Sequence, residues 1–173
     1  YFNAQRVKRL LATLASEGGD HVAARFVPLS RPSLGEEEEQ AVLETLRSGW
    51  LTSGHHIAAF EAAFRRTVSA RHTVAVTSCT AAIHLALVHL GIKPGDEVIT
   101  PPITWASTGN TLLNMGAKVV FADVDPETLN LDPVATEAAI TERTRVIIPV
   151  HLAGHPCDMD ALRAVATRHN LPL

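Results

Sequence analysis

The sequence predicts an α/β fold with a three-layer α/β/α arrangement and a mostly parallel sheet. Two observations indicate it: short apolar segments alternate with helical stretches, and turn residues separate the two. The predicted strands cover residues 73–77, 97–100, 118–122 and 145–150. Because these segments are short and almost continuously apolar, they are typical of a sheet buried on both faces, which is usually parallel.

Composition narrows the class of protein. The chain has 173 residues, of which 46% are hydrophobic and 19% charged, as expected for one globular domain with a real core. A formal net charge of −3 and the lack of a long basic stretch argue against nucleic acid or an anionic membrane as partner. No apolar run reaches the ~18 residues of a membrane span. Two cysteines make no disulfide framework, so a reducing cytoplasm is expected.

The two ends of the sequence suggest part of a longer domain. Residues 1–26 are interpreted as a leader or extension, either with a short amphipathic helix over residues 6–14 or simply solvated. Residues 27–173 are interpreted as the N-terminal part of a large domain. The first residue is Tyr1, and residues 171–173 (LPL) resemble the start of another buried strand. We therefore expect the domain to be incomplete at its C-terminal end.

Two helices are predicted before residue 73, where the alternation of strands and helices begins. Ser33 is a candidate N-cap, and the glutamates that follow it suit the positive end of a helix dipole. That helix is expected to run through Leu46 and to end at Gly49. A second helix is predicted over residues 57–69.

The remaining helices follow from turn and capping residues. Residues 93–96 (KPGD) form a predicted turn, and Asp132 with Pro133 marks a helix start, since proline is tolerated in the first helical position. The predicted helices that flank the strands cover residues 80–90, 105–115, 132 onward and 158–169.

The junction at residues 76–82 (VTSCTAA) is a candidate anion site. A strand ends there and a helix begins, so N–H groups of the first turn and the Ser78 and Thr80 hydroxyls, with Ala81 next to them, suit a phosphate. Simple helix capping explains the same residues equally well. Cys79 could be an activated nucleophile, but no base accompanies it in the sequence, which favours packing.

A second junction, residues 100–108 (TPPITWAST), follows the next strand. Trp105 lies there at the carboxyl edge of the predicted sheet, where open α/β sheets bind ligands. Its indole could stack on a planar ring, or could simply belong to the core. Together the two junctions suit a ligand that has both a ring and a phosphate, as pyridoxal 5'-phosphate (PLP) has.

Seven segments resemble a known family in order and spacing. They are residues 31–35 (RPSLG), 48–54 (SGWLTSG), 78–82 (SCTAA), 95–101 (GDEVITP), 103–108 (ITWAST), 123–125 (DVD) and 149–159 (PVHLAGHPCDM). The series is similar to the DegT/DnrJ/StrS family of PLP-dependent sugar-nucleotide aminotransferases. It looks closest to the UDP-4-amino-4-deoxy-L-arabinose branch, which acts on UDP-4-keto-pentoses. One departure is Cys79, where many members have glycine.

The resemblance implies the large domain of a fold-type-I PLP enzyme that works as a homodimer, with active sites at the subunit interface. It implies that the cofactor phosphate lies against Ser78, Cys79, Thr80 and Ala81, held by the Thr80 hydroxyl and the Ala81 N–H. It implies that Trp105 stacks on the pyridine ring. The substrate-binding residues implied are Trp50, Thr52, Ser53, Gly54, Thr104 and His151.

The implied reaction transfers an amino group, commonly from glutamate, to a keto-sugar nucleotide for cell-surface polysaccharide, lipid A or antibiotic sugars. The Schiff-base lysine and the aspartate that pairs with the pyridine nitrogen are expected beyond Leu173. The chain's lysines are Lys8, Lys93 and Lys118, and none stands where a cofactor lysine is needed. We therefore expect this chain alone to be inactive.

Other interpretations remain open. His151, His155, Cys157 and Asp158 are residue types that bind zinc, although the glycines and prolines among them argue against convergence. The resemblance also leaves a sugar dehydratase of the same family, with histidine in place of the lysine. A third alternative is a regulatory or remnant protein that kept the fold and lost catalysis.

Overall fold

The computed structural model describes residues 31–173, which fall into two compact units, one ending at Ala59 and the other running from Phe60 to Leu173. The predicted leader, its boundary near residue 26 and Lys8 lie outside the described residues. None of the helices within residues 31–173 is long and apolar enough to cross a membrane.

The unit that ends at Ala59 is built around helix α1, Glu36–Ser48, which has no buried residue. Gly35 precedes the helix, and its N–H donates to the Glu38 carboxylate at 2.7 Å. The predicted cap, Ser33, is therefore wrong, because the helix begins three residues after it. At the other end Gly49 adopts a left-handed conformation with φ 74°, which closes the helix as predicted.

Helix α2, His55–Thr67, begins and ends two residues before the predicted helix. The segment that follows it was predicted as a strand over residues 73–77, and that prediction is wrong for the described residues, because no strand lies beside it there. Glu61 of α2 binds the segment instead. Its carbonyl accepts from the Thr73 hydroxyl and its carboxylate from the Ala75 N–H, both at 2.7 Å.

Three of the four predicted strands form a parallel sheet within residues 31–173: β1 is Glu97–Thr100, β2 is Lys118–Phe121 and β3 is Thr144–Ile147. Their spatial order is β2-β1-β3, so β1 is central. Helix α3, Cys79–His89, leads into β1 through the predicted turn. The other helices are α4, Ser107–Asn114, α5, Pro133–Ala138, and α6, Met159–Arg168.

Two apolar clusters, one on each face of the sheet, confirm the three-layer arrangement. Alternate strand residues face opposite sides: Val98 packs with α3 and α4, whereas Ile99 packs with α5 and α6. The first cluster comprises Leu87, Ile92, Val98, Leu112, Ala117 and Val146. The second comprises Ile99, Ala122, Leu131, Ile147, Cys157, Leu162, Val165 and Ala166.

A buried carboxylate ties the amino ends of the three strands together. Glu97 on β1 has a side chain only 1% exposed, and it pairs with Lys118 of β2 at 3.0 Å and with Arg143, just before β3, at 2.9 Å. The Thr141 hydroxyl also donates to it at 2.6 Å. These contacts, with the Thr141 hydrogen bond as the largest cause, lower the pKa of Glu97 from 4.5 to about 2.

The outer edge of β3 receives the end of the chain. The Ile147 N–H donates to the Pro172 carbonyl at 3.1 Å, so residues 171–173 lie beside β3. Residues 171–173 are not a strand in the structure, so the strand that the sequence predicts from Leu171 stays a prediction.

Candidate active site

Within the unit that runs from Phe60 to Leu173, the connections bring residues 78–81, Trp105 and His151 toward one edge of the sheet. The loops after β1, β2 and β3 all leave from its carboxyl edge, because the strands are parallel. Helix α3 ends where the turn leads back to the start of β1, and it packs on α4. Its N-terminus, with residues 78–81, therefore lies toward that same edge, as does the start of α4 beside Trp105.

The start of α3 retains donors for an anion. Ser78 is the N-cap, and its hydroxyl oxygen accepts the Ala81 N–H at 3.1 Å. The first helical hydrogen bond runs from Ala82 to the Ser78 carbonyl at 3.1 Å, so the N–H groups of Cys79 and Thr80 have no helical acceptor. The capping interpretation is confirmed for Ser78, whereas the anion site stays a prediction for which the exposed Cys79 and Thr80 are free to act as donors.

Trp105 lies outside the core of the second unit. Its side chain is 82% exposed, just before α4, and its carbonyl accepts from the Thr108 N–H at 3.0 Å. The Thr104 and Thr108 hydroxyls are hydrogen-bonded at 3.1 Å, which ties the loop to the helix. The indole lines a groove of about 440 Å³ together with Pro102, Thr104, Ala106, Gly109, Asn110, Leu113, Val119 and Phe121.

The residues predicted for the sugar-nucleotide side lie in the unit that ends at Ala59. Trp50, Thr52, Ser53 and Gly54 are all exposed between α1 and α2, and Trp50 is 67% exposed. A Cβ at Gly54 would lie 3.4 Å from the Trp50 Cβ, which is close contact. The exposed Trp50 side chain is therefore in close contact with Gly54.

His151 lies in the loop after β3, and a residue that the sequence analysis did not select holds that loop. The buried Asn130, 3% exposed, accepts the Leu152 N–H at 3.1 Å and donates to the carbonyls of His155 and Pro156 at 3.0 and 3.2 Å. The one available signal was a polar residue between two leucines, Leu129 and Leu131.

The alternative metal site does not assemble in the part of the chain that the structure describes. No three histidine, cysteine or acidic side chains converge as ligands within residues 31–173. Cys157 is buried and its thiol donates to the Val150 carbonyl at 3.1 Å, while Asp158 caps α6 by accepting the Ala161 N–H at 2.9 Å. Both side chains thus have structural partners.

Neither described lysine lies near this edge. Lys118 begins β2 at the amino edge and pairs with Glu97. Lys93 lies in the turn before β1, where its N–H donates to the Asp96 carboxylate at 2.8 Å. Both positions are therefore at the opposite end of the sheet from Trp105.

Comparison with known proteins gives a consistent family. The model of the DegT/DnrJ/EryC1/StrS aminotransferase family matches residues 32–173. The spore coat polysaccharide biosynthesis protein SpsC of Bacillus subtilis (strain 168) is 56% identical over 146 residues, covering 84% of this chain and 38% of SpsC. The chain therefore spans well under half of that relative's length.

Solved structures with similar folds agree with this family assignment. S. venezuelae DesV in complex with a ketimine intermediate is 44% identical with a TM-score of 0.75, over 78% of this chain and 36% of DesV. The PMP form of Spr1654 from Streptococcus pneumoniae is 40% identical with a TM-score of 0.79, over 83% of this chain and 36% of Spr1654. The resemblance seen in the motifs is thus confirmed over most of the chain, which belongs to the DegT/DnrJ/EryC1/StrS aminotransferase family.

Proposed function

We propose that this protein transfers an amino group from glutamate to a keto-sugar nucleotide, with PLP as cofactor. The observation that carries the proposal is the joint placement of exposed N–H donors at the start of α3 and an exposed indole, Trp105, toward one sheet edge in a member of this family. A UDP-4-keto-pentose is the proposed substrate, and a cytoplasmic enzyme of cell-surface polysaccharide, lipid A or antibiotic sugar synthesis is the proposed setting.

The relatives support the proposal. SpsC is named for polysaccharide biosynthesis, and the solved relatives include the PMP form of Spr1654, PMP being the aminated form of the cofactor. DesV was solved with a ketimine intermediate. These proteins are 40–56% identical to this chain over the aligned residues, so they favour the same chemistry here.

The residues present fit the cofactor. Thr80 would bind the phosphate with its N–H and hydroxyl, and Cys79 with its N–H, because these donors are exposed at the positive end of α3. The Ala81 N–H reaches a phosphate only if it is shared with the Ser78 hydroxyl. Trp105 would lie against the pyridine ring and keep it flat on the sheet edge. PLP, when bound, supplies an electron sink and carries the amino group.

Substrate binding is proposed for Thr104, His151 and residues 50–54. Thr104 and His151 follow neighbouring strands, β1 and β3, and so are at the edge where the ring would lie. Trp50, Thr52, Ser53 and Gly54 would bind the sugar nucleotide. A tryptophan suits this role, since an exposed indole can stack on a base or cover a sugar face.

A homodimer is proposed as the working form. Large apolar side chains are exposed in each described unit, and contiguous exposed apolar surface often marks an interface with another protein. In the first unit they include Leu34, Val42 and Leu46, which line an apolar groove of about 410 Å³ on α1. A second subunit would remove this surface from water.

The 173-residue chain is expected to show no amino transfer on its own. Lys93 and Lys118 lie at the wrong end of the sheet to hold the cofactor, and Lys118 is paired with Glu97. Purified chain should be incubated with PLP, glutamate and a UDP-4-keto-pentose, and the UDP-amino-sugar measured by mass spectrometry. Product above a no-protein control would contradict this expectation.

The same assay on the chain extended to the length of its relatives tests the function itself. Formation of a UDP-amino-sugar is the expected result. Dehydrated product would instead indicate the dehydratase of the same family, and neither product would indicate a protein that retains only the fold.

Cofactor binding is expected to quench Trp105 fluorescence. The chain has two tryptophans, so Trp50→Phe leaves Trp105 as the only indole and Trp105→Phe leaves Trp50. We expect titration with PMP to quench the Trp50→Phe variant strongly and the Trp105→Phe variant weakly. PMP is used because it cannot react with surface lysines. We also expect Trp105→Ala to weaken PMP binding roughly tenfold, the loss of about 1–1.5 kcal/mol of ring stacking.

Pyridoxamine, which lacks the phosphate, is the matched ligand control. It should bind more weakly than PMP to the same variants, because it leaves Cys79 and Thr80 without an anion. Equal binding of the two ligands would contradict the phosphate site at α3, and equal quenching of the two single-tryptophan variants would contradict the stacking role of Trp105.

A further inference from the structure

We propose that Asn130 is a positioning residue that holds His151 as an Nε2–H hydrogen-bond donor at the carboxyl edge of the sheet. That His151 then serves the sugar nucleotide rests on the function proposed above. The positioning itself rests only on contacts within residues 130–157.

Asn130 bridges the two limbs of the loop after β3. Its Oδ1 accepts from Leu152, next to His151, and its Nδ2 donates to the carbonyls of His155 and Pro156. All three contacts are side chain to backbone, and Asn130 is 3% exposed. A buried amide that satisfies three backbone groups is costly to replace, since each would lose its partner away from water.

The end of the same loop is hydrogen-bonded to the His151 imidazole. The Cys157 N–H donates to His151 Nδ1 at 3.1 Å, and the Cys157 thiol donates to the Val150 carbonyl at 3.1 Å. Because Nδ1 accepts a hydrogen bond, the neutral ring carries its proton on Nε2. Within residues 31–173 Nε2 has no hydrogen-bond partner, and the side chain is exposed.

The backbone between these contacts is sharply bent. Ala153 has φ 51° and Gly154 has φ 83°, both in the left-handed region. A non-glycine residue there costs energy and persists only where surrounding contacts hold it. The Asn130 bonds on either side of the bend are contacts of that kind, so the bend and the orientation of His151 depend on the same side chain.

An Nε2–H donor at this edge suits an oxygen acceptor of the ligand. The loops after β1 and β3 lie side by side, so His151 shares the edge with Trp105. A neutral donor held in one tautomer binds a carbonyl or diphosphate oxygen without reorganisation when the ligand arrives. We therefore assign His151 to an oxygen of the keto-sugar nucleotide.

Imidazole ¹⁵N NMR at a pH where histidine is neutral tests the positioning directly. We expect the His151 spectrum of the unaltered chain to show a protonated Nε2 and an unprotonated Nδ1. We also expect a coupling across the hydrogen bond between the Cys157 amide nitrogen and His151 Nδ1. A mixture of tautomers, or no such coupling, would overturn the proposal without any variant.

Asn130→Asp then tests the cause. The carboxylate keeps the shape but would face the His155 and Pro156 carbonyls without a donor, so the loop should open and His151 should populate both tautomers. Asn114→Asp, at an exposed position on α4, adds the same charge and should change nothing at His151. An unchanged His151 spectrum in Asn130→Asp would overturn the role of Asn130.

Activity of the extended chain supplies the second readout. Asn130→Asp is expected to lower kcat/KM roughly tenfold or more, as for loss of a buried hydrogen-bond network, with Asn114→Asp within about twofold of the parent. Because the NMR measurement needs no ligand, it judges the positioning even if the amino-transfer assay fails. Conversely, if the extended chain transfers amino groups but its His151 populates both tautomers, the proposed function stands and the role of Asn130 is overturned.

Discussion

Replacing Leu112 by alanine is expected to lower the free energy of unfolding by about 2–5 kcal/mol, as for other fully buried leucines. Leu112 lies on α4 with no exposed surface, and it packs against the face of the sheet that carries Val98 and Val146. Removing its side chain loses apolar burial and leaves a cavity, because rigid strands and helices surround it. Urea unfolding followed by circular dichroism measures the change.

The next residue provides the matched control. Leu113 is 61% exposed on the same helix, so Leu113→Ala should change the free energy of unfolding by no more than about 0.5 kcal/mol. Each variant replaces one leucine of the same helix by alanine, and the two leucines differ in burial. Equal losses from the two substitutions would show that α4 does not pack on the sheet in this register.

Replacing Glu97 by glutamine is expected to lower the midpoint of thermal unfolding at pH 7 by several degrees. Lys118 and Arg143 would lose the carboxylate that they share, and the glutamine NH₂ would face their donors. Breaking one partner of a buried ion-pair network leaves the remaining charges poorly compensated. Glu127→Gln is the control, because Glu127 is exposed.

The pH dependence of this effect has a definite sign. The pKa of Glu97 falls from 4.5 to about 2 on folding, so its ionised form stabilises the fold fully above pH 4.5. That contribution is lost as the pH falls from 4.5 toward 2. The stability difference between parent and Glu97→Gln should therefore be largest at neutral pH and shrink through that window.

Other carboxylates also change the stability of the protein between pH 4.5 and pH 2. The informative quantity is therefore the difference in stability between the parent and Glu97→Gln. Glu137 also has a pKa lowered to about 2, chiefly by its hydrogen bond from Arg168, and it titrates in both proteins. A difference that stays constant between pH 4.5 and pH 2 would contradict the ionised role of Glu97. A variant as stable as the parent at pH 7 would contradict the network.

Helix starts and strand positions in the sheet were predictable because their signals are local. Asp132 and Pro133 predicted a helix start, and the Asp132 carboxylate accepts the Val134 and Ala135 N–H groups at 2.6 and 3.1 Å. Strand β1 has the predicted bounds, because a turn precedes its four residues and a pair of prolines follows them. Ser33 failed as a cap because Gly35 and Glu38 supply a competing local start.

The ordered series of seven segments predicted the family, and the junctions at residues 76–82 and 100–108 predicted a ligand with a ring and a phosphate, such as PLP. The sequence by itself thus determined the α/β class, the parallel sheet and the segments that meet at its carboxyl edge, because capping, turn chemistry and apolar pattern act over a few residues. It also misjudged residues 73–77, whose apolar pattern is that of a strand. A strand needs a hydrogen-bonding neighbour, and among the described residues Glu61 binds this segment instead.

Only the tertiary structure decided which polar residues act together. Asn130 reaches the loop after β3 across 22 to 26 positions, and Glu97 reaches Arg143 across 46. Such contacts depend on strand order and register, which no local pattern encodes, and the sheet order β2-β1-β3 brings both sets together. The exposed state of Trp105 follows from that packing and from no feature of its neighbours in the sequence.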